Sequence, residues 1–423
     1  MPGRVFPTND RLNMNLDDVS LIVGLDWADR THVCCLFGRD GLVQGNVRVE
    51  ASAEGVARWL DGLQVQYPAG TIVVAVEKTE GALVEMIQGR SRFALVPVNP
   101  ATLHRYRQTF LPSGSKNDPV DAHLLGEIVM LHPEKFEVRK WSTDELTSLA
   151  QLVVERRHWV DTRSGLVEEL ISCLKKYYPQ ALELTGEHLY TRMDLEYLRR
   201  WPDLGAAKRA KWSTLAAFYR QHHSGRSDVL QRRQEMLKAA HHVSEREAYV
   251  MPLRLHMLTI VSQLEAINGS IEQFDAQIQE AYTQAPGRHV IDSLPGTGPA
   301  MAPRLWVACA NEGQGPCAGT MQLKSGIAPV RRQSGNTKVT AFRWARPKFL
   351  HQTWIEFAQH SLKTSAWARA FYLSRKTRGD RQASILRALA YKWIRIIAKL
   401  WRDQCPYDEG YYLKHSALRK ASA

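Results

Sequence analysis

The order of apolar runs in the amino-terminal third constrains the fold of this chain more than any other feature. Val19–Asp26 and Thr31–Phe37 are near-continuous apolar runs between turn residues, as in buried strands, and Gly45–Val49 predicts a third strand. The remaining pattern predicts a helix over Ala51–Leu63, a strand over Thr71–Glu77, a short helix over Gly81–Gln88, a strand over Phe93–Val98 and a helix after Asp118. The predicted order is βββαβαβα.

A three-stranded meander followed by alternating helices and strands predicts a mixed sheet flanked by helices, an α/β architecture. It is the element order of the ribonuclease-H-like fold. We expect this domain to cover residues 19–140, after a loose polar tail over residues 1–18.

Four carboxylates take special positions in this order. Asp26 ends the first predicted strand, Glu77 ends the fourth, and Asp118 and Asp121 open the helix after the fifth. Pro119 suits a first turn capped by Asp118, which puts the two aspartates about one turn apart on one face. Strand ends converge at one sheet edge, where clustered carboxylates need cations, and Mg²⁺ or Mn²⁺ suits such ligands. The pattern predicts a metal site of the kind used in phosphoryl transfer.

Each of these acids also has a structural interpretation. Asp118 and Asp121 could be a helix cap and a first-turn acid that the helix dipole favours, while Asp26 and Glu77 could be solvated acids at strand ends. Glu80 is the nearest rival to Glu77, but it falls in the turn after the strand. The metal interpretation depends on all four occurring together.

Two long helical seams follow, over a region predicted to span residues 141–285. Ser142-Thr-Asp-Glu145 has capping-box spacing and precedes the first seam, and the second runs from Leu253 to Ile278. They could pair within the chain as an antiparallel hairpin or between chains. Arg156 and Arg163 interrupt the first seam and favour pairing between chains.

Residues 179–242, between the seams, predict a small helical insertion. Its basic run of Lys208, Arg209 and Lys211 could contact nucleic acid, although a solvated helix face is the default for such a run.

Positive charge is concentrated near the carboxyl terminus. Residues 321–402 hold 18 Lys and Arg against two acids, whereas the whole chain carries a net charge of +13. This distribution predicts a polyanionic partner that binds a mostly helical domain over residues 286–405, before a tail over residues 406–423. Its tryptophans could stack on bases or fill the core.

The six cysteines have no zinc-ligand spacing, and no signal peptide or membrane-spanning run is apparent. We therefore expect a reduced, cytoplasmic protein.

Two glycine-containing segments of the basic domain are candidate phosphate contacts. Gly296 and Gly298 lie in a Pro-Gly-Thr-Gly turn before a helix predicted over Ala300–Ala310, where main-chain amides could hold a phosphate. A plain interhelical turn explains this motif equally well.

Ser334 lies in the second segment, beside Gly335 and between the cations Arg331, Arg332 and Lys338. A serine hydroxyl becomes a nucleophile only when its surroundings ease the loss of its proton, and cations near a phosphate stabilise developing charge. By chemistry alone a Ser-Gly pair is more often a turn, so the nucleophile and the turn remain open as interpretations.

Several of these motifs together resemble the transposases of the one-ten family of bacterial insertion sequences. The similar pieces in the first domain are Gly24-Leu-Asp-Trp-Ala-Asp-Arg-Thr-His32, Val76-Glu-Lys-Thr-Glu-Gly81, Val98-Asn-Pro100 and Lys116-Asn-Asp-Pro-Val-Asp-Ala122. In the last domain they are Gly326-Ile-Ala-Pro329 and Gln333-Ser-Gly335. The similarity covers most of the chain; Trp27, where the family usually has a smaller residue, is a local departure.

The resemblance implies a RuvC-type ribonuclease-H-like domain in which Asp26, Glu77, Asp118 and Asp121 form a DEDD tetrad that holds Mg²⁺ or Mn²⁺. It also implies that Ser334 forms a covalent phosphoserine link to DNA. A non-coding bridge RNA would specify donor and target DNA, and the protein would act as a homo-oligomer, a dimer that becomes a tetramer in the synaptic complex.

We therefore expect a DNA transposase with a coiled-coil region and a helical carboxyl-terminal domain that bears the serine. Two other functions remain open. A metal-only nuclease or junction resolvase would cut without a serine adduct, and a non-catalytic scaffold would need only the basic segment.

Overall fold

The computed structural model describes residues 18–77, 80–110, 117–139, 143–310, 317–334, 337–341, 343, 346–411 and 413–414. The chain divides into two compact units, Met1–Trp141 and Ser142–Ala423. Residues 1–17 of the predicted tail lie outside the described residues.

The first unit is built on a five-stranded mixed sheet with the order β3-β2-β1-β4-β5. The strands are β1 (Val19–Asp26), β2 (Thr31–Phe37), β3 (Val43–Glu50), β4 (Thr71–Val76) and β5 (Phe93–Pro97). The first three strands form an antiparallel meander, and β4 and β5 add in parallel on the other side of β1. This mixed sheet is consistent with the predicted ribonuclease-H-like order.

Four α-helices accompany the sheet among the described residues of this unit. They are α1 (Ala53–Gln66), α2 (Ala82–Gln88), α3 (Pro100–Phe110) and α4 (Asp118–Leu131). The sequence interpretation missed α3 because its residues are mostly polar, and Leu103 is the one apolar residue classed as buried among its described side chains. Asn99 begins it, since the Asn99 side chain accepts a hydrogen bond of 2.8 Å from the Ala101 amide.

Two glycines let α4 lie directly on β1. A Cβ atom on Gly24 would overlap the Ala122 carbonyl oxygen and come within 2.5 Å of the Gly126 nitrogen. A Cβ atom on Gly126 would in turn overlap the ring of Phe37. The two main chains are therefore in contact with no side chain between them.

The second unit contains two long helices, α5 (Asp144–Tyr177) and α11 (Glu247–Thr283), which pack antiparallel within the chain. Arg156 bonds to Asp275, Arg163 bonds to Asn268 at 3.2 Å, and the Tyr249 hydroxyl bonds to the Lys176 carbonyl. The two arginines that favoured pairing between chains thus have partners within the chain.

The start of α5 differs from the expected capping box. Thr143, not Ser142, is the N-cap, and its hydroxyl accepts a hydrogen bond from the Leu146 amide. Both residue types cap well, so their adjacency left the position ambiguous.

The segment between α5 and α11 is helical, as expected. It contains α6 (Ala181–Leu184), α7 (Arg192–Arg200), α8 (Leu204–Arg209), α9 (Trp212–Gln221) and α10 (Ser227–Ala239). These helices share one apolar core with the carboxyl end of α5 and the amino end of α11. In the basic run, the Lys208 amine donates to the Ala240 carbonyl, while Arg209 and Lys211 are exposed.

The remaining elements surround a second core. They are α12 (Arg288–Asp292), α13 (Ala302–Ala310), α14 (Ala318–Lys324), the hairpin strands β6 (Val330–Ser334) and β7 (Thr337–Ala341), α15 (Lys348–Thr364), α16 (Ala366–Thr377) and α17 (Gln382–Asp403). Trp354, Trp367, Trp393 and Trp401 are buried in this core, which supports the interpretation that they fill the core.

Part of the predicted carboxyl-terminal tail packs on this core. The Tyr407 hydroxyl accepts a hydrogen bond of 2.7 Å from the Trp367 indole, and the Tyr407 amide donates to Ser293. Across the described residues, no helix combines the length and apolarity that a membrane span requires.

Candidate active-site residues in the two units

The carboxyl ends of β1 and β4 bring Asp26 and Glu77 to the same sheet edge. Gly24 pairs with Ala75 and Leu25 with Val76 in the parallel register, so the next residues in each strand are Asp26 and Glu77. Asp26 is the last residue of β1, and Glu77 follows β4 directly. The register therefore aligns these two acids as predicted from the strand pattern.

Asp121 reaches this edge from α4. It is buried, at 3% exposure, and it precedes Ala122, the residue whose carbonyl lies against Gly24. Since Gly24 is two residues before Asp26 and side chains alternate along a strand, Asp26 lies on the α4 side of the sheet. Asp26 and Asp121 therefore both lie next to the contact between Gly24 and the Ala122 carbonyl.

Asp118 differs from Asp121 in environment and in its place in the helix. It is exposed, and it is the first residue of α4 rather than its cap. Asn117 occupies the cap position, because its backbone is extended and its carbonyl accepts hydrogen bonds from Val120 and Asp121. The expectation that Asp118 caps the helix was wrong by one residue, although both aspartates lie in the first turn.

Arg107 is a site residue that the sequence interpretation missed. Its Nη2 atom lies 2.5 Å from Oδ1 of Asp121, and both side chains are largely buried. The approach is an ion pair without hydrogen-bond alignment, because Asp121 Oδ1 and Arg107 Nε are both buried without an aligned partner. No signal pointed to Arg107, since it lies on the unpredicted α3.

Carboxylate oxygens, such as the buried Oδ1 of Asp121, are the ligand type that divalent cations such as Mg²⁺ prefer. Within the described residues, however, no group of three or more histidine, cysteine or acidic side chains is close enough to hold a metal ion. The acids share an edge of the sheet and suit the ion by ligand type, but they do not form a coordination shell in this conformation.

Ser334 lies at the end of a β-hairpin in the second unit. It is the last residue of β6 and pairs with Thr337 of β7. In the same register Arg331 pairs with Thr340, Arg332 with Val339 and Gln333 with Lys338. Arg331 and Arg332 therefore lie on the same strand as Ser334, and Lys338 lies on the strand paired with it.

The two glycines of the Pro-Gly-Thr-Gly turn differ in their surroundings. Gly296 has φ +83°, and a Cβ atom there would lie 2.9 Å from the carbonyl carbon of His360. Gly298 meets nothing within 4 Å, and its carbonyl accepts hydrogen bonds from Met301 and Ala302. Packing on α15 thus explains Gly296 without a ligand, and the helix begins at Ala302 rather than Ala300.

The surface of the last helices is strongly basic. The exposed cations of α15, α16 and α17 are Lys348, Lys363, Arg369, Lys376, Lys392, Arg395, Lys399 and Arg402. The two acids among residues 321–402 are bonded to arginines, Glu356 to Arg304 and Asp380 to Arg375. A surface with this charge balance suits a polyanion.

An α/β domain with this strand order and acids at adjacent strand ends is consistent with a ribonuclease-H-like domain. Two family models match the chain: a transposase model of the IS110 DEDD type over residues 23–179 and the transposase IS116/IS110/IS902 family over residues 288–373. Together they cover more than half of the chain. The chain belongs to the IS110 family of transposases, which are DNA recombinases.

Relatives extend the similarity along nearly the whole chain. The "Mini-circle putative transposase for IS117" of Streptomyces coelicolor is 24% identical over 403 residues, which cover 93% of this chain and 96% of that protein. The IS900 insertion-element 42 kDa protein of Mycobacterium paratuberculosis is 21% identical, over 91% of this chain and 96% of that protein. Putative transposase y4uE of Sinorhizobium fredii is 27% identical over 49% of this chain and 58% of its own length.

Proposed function

We propose that this transposase cuts and rejoins DNA with two sets of residues: the acids Asp26, Glu77, Asp118 and Asp121, and the serine Ser334. The observation that carries the first set is the buried carboxylate of Asp121 beside the Gly24 contact, on the side of the sheet that Asp26 occupies. Burying a charged group is costly. A buried carboxylate at the sheet edge where other acids end their strands therefore suits a cation-binding role.

The four carboxylates would hold one or two Mg²⁺ or Mn²⁺ ions. When bound, such ions supply positive charge to the oxygens of a phosphate undergoing in-line displacement. The residues themselves contribute fixed positions, because the main-chain contact of α4 with β1 sets the distance between the turn that bears Asp121 and the strand end that bears Asp26.

Ser334 would be the nucleophile. Its hydroxyl oxygen bonds to phosphorus, the bond from phosphorus to the 3′ oxygen breaks, and the serine proton ends on that 3′ oxygen. The products are a 5′-phosphoserine link and a free 3′-hydroxyl. Attack of a 3′-hydroxyl from the partner strand reverses the step, so strands exchange without an external energy source.

The cations of the hairpin, Arg331, Arg332 and Lys338, would hold the phosphate that Ser334 attacks, with Gly298 as a further main-chain contact. Packing on α15 already explains the conformation of Gly296. Its part in the proposed contact would be limited to forming the turn that precedes Gly298.

The proposed partners are donor and target DNA, a non-coding bridge RNA and further copies of the chain. The net charge of residues 321–402 supports a nucleic-acid partner. A guide RNA suits a protein whose sequence offers no zinc-finger or similar base-reading motif.

The test is a denaturing gel of labelled donor DNA incubated with the protein, Mg²⁺ and RNA from the element's flanks. We expect a covalent protein–DNA adduct with wild type and with Ser325→Ala, and none with Ser334→Ala. Ser325 is the matched control because it is buried and donates to the Met321 carbonyl at 2.6 Å. Cleavage without an adduct in all three proteins would instead identify a metal-only nuclease.

A further inference from the structure

Helix α3 brings Arg107 to the first turn of α4. Leu103 precedes Arg107 by one helical turn, and it is buried in the core that α3 shares with α4 and the sheet. Residues one turn apart lie on the same face of a helix, so the packing of Leu103 directs Arg107 toward the same side. There the Nη2 atom of Arg107 lies 2.5 Å from Oδ1 of Asp121.

The pair formed by Arg107 and Asp121 is shielded from water. The side chain of Asp121 is 4% exposed and that of Arg107 is 13% exposed. A buried carboxylate without a positive partner strongly destabilises a folded protein, because the charge has lost its hydration. In this conformation, Arg107 therefore supplies the charge that lets Asp121 stay buried.

The hydrogen-bond geometry of this pair is poor in spite of the short distance. Among the described residues, neither Oδ1 of Asp121 nor Nε of Arg107 has a hydrogen-bond partner, although both atoms are buried. A guanidinium usually satisfies a carboxylate with two parallel hydrogen bonds. Arg156 binds Asp275 in this way, through Nε and Nη2, although that pair is more exposed. Arg107 thus balances the charge of Asp121 but leaves the bonding capacity of Oδ1 unused.

A divalent cation would supply at Oδ1 both the charge and the bond that Arg107 provides only in part. Carboxylate oxygens are ligands that Mg²⁺ and Mn²⁺ prefer. The ion and the guanidinium cannot share this oxygen, because two positive groups in contact repel each other strongly where little water screens them. One must leave for the other to bind.

We infer that Arg107 holds the Oδ1 side of Asp121 while no ion is bound there, and that it must withdraw for a divalent cation to bind. The same contact that stabilises the ion-free protein then weakens its apparent affinity for the ion, since only the withdrawn state can bind. Arg107 would therefore set the affinity of the site. This inference rests on the proposed metal role of Asp121.

Calorimetric titration of the full-length protein with Mn²⁺ tests the effect on affinity. We expect Arg107→Gln to bind Mn²⁺ several-fold more tightly than wild type, because no positive charge has to leave Asp121. Arg107→Lys keeps a positive charge and should stay closer to wild type. The control Arg105→Gln removes an exposed arginine of the same helix and should leave the affinity unchanged.

The melting temperature in EDTA gives a second readout, which involves neither ion nor activity. Arg107→Gln should melt lower than wild type, because it leaves the charge of Asp121 buried and unpaired. The double variant Arg107→Gln/Asp121→Asn removes both charges. It should recover part of the lost melting temperature and lose the gain in Mn²⁺ affinity.

Withdrawal of Arg107 can be followed in the wild-type protein, so this test does not depend on the folding of a variant. Phenylglyoxal modifies accessible guanidinium groups, and mass spectrometry identifies the modified arginines. We expect modification of Arg107 to increase when saturating Mn²⁺ replaces EDTA, while that of the exposed Arg105 stays constant.

Three results would overturn the inference. Mn²⁺ binding by Arg107→Gln that equals or falls below wild type would make Arg107 a residue that positions Asp121 for the ion. Tighter binding that persists in the double variant would place the ion elsewhere, and modification of Arg107 that Mn²⁺ leaves unchanged would exclude withdrawal. Absence of Mn²⁺ binding in wild type and in every variant would contradict the proposed metal site itself, and the inference with it.

Discussion

Arg156 on α5 donates to Asp275 on α11 through two nitrogens, with Nη2 3.0 Å from Oδ2. The arginine side chain is 17% exposed and the aspartate 41%, so the pair lies at the margin of the helix contact rather than within its core. This ion pair explains how an arginine can occupy a seam position although the two helices pair within one chain.

The pair should contribute a modest, measurable coupling. We expect a double-mutant cycle of Arg156→Ala and Asp275→Ala, measured by urea unfolding, to give an interaction free energy of about 1 kcal/mol or less. Exchanging the residues, as Arg156→Asp/Asp275→Arg, should recover part of the loss. No recovery, together with a changed oligomeric state, would indicate that these helices pair between chains in solution.

Alanine at Gly24 should destabilise the first unit. Its Cβ atom would overlap the main chain of α4, so the helix must shift, at a cost of about 1–3 kcal/mol. Gly62→Ala is the control, because its site on α1 is open and alanine favours a helix over glycine by up to about 1 kcal/mol. Urea unfolding of both variants checks this; equal stability would contradict the close contact.

Removing the carboxylate of Asp26 should abolish strand cleavage while the fold persists. We expect Asp26→Ala to lose at least about 100-fold in cleavage rate, because ligands of a catalytic ion tolerate replacement poorly. Glu80→Ala should cleave normally, since Glu80 lies beyond β4 in the turn. Circular dichroism establishes folding, and a variant of Asp26 that cuts like wild type would overturn the catalytic role of this carboxylate.

Truncating Trp393 should destabilise the carboxyl-terminal core. Trp393 is fully buried, its indole donates to Ser361 at 2.9 Å, and its ring packs edge-on to Phe357. We expect Trp393→Ala to cost about 3–5 kcal/mol and Trp393→Phe clearly less, measured by chemical unfolding. An unaltered stability with weakened DNA binding would show that this ring stacks on bases instead.

The strands and helices of the first unit were predictable because their apolar runs are long and their boundaries carry turn residues. β1 and β2 have the predicted bounds, and β4 differs only at Glu77. Helix α3 escaped prediction because a mostly polar helix lacks the apolar spacing by which surface helices are recognised. Arg107 lies on α3 and was therefore not predicted as a site residue either.

The candidate sites likewise contain parts that the sequence predicted and parts that it did not. Asp26 and Glu77 follow from strand order, because parallel register alone aligns them. The strands of the hairpin β6–β7 were not predicted because they are short and rich in polar residues.

The contact of Gly24 with α4 has a consequence for how freely this enzyme can be altered. Spacing between most helices and sheets depends on the size of the side chains between them, so exchanging core residues shifts the helix. Here main chain touches main chain, and the first turn of α4 keeps its height above β1 whatever fills the core elsewhere. Core substitutions made to raise the melting temperature should therefore leave the separation of Asp26 and Asp121 untouched, provided that both glycines of the contact are kept.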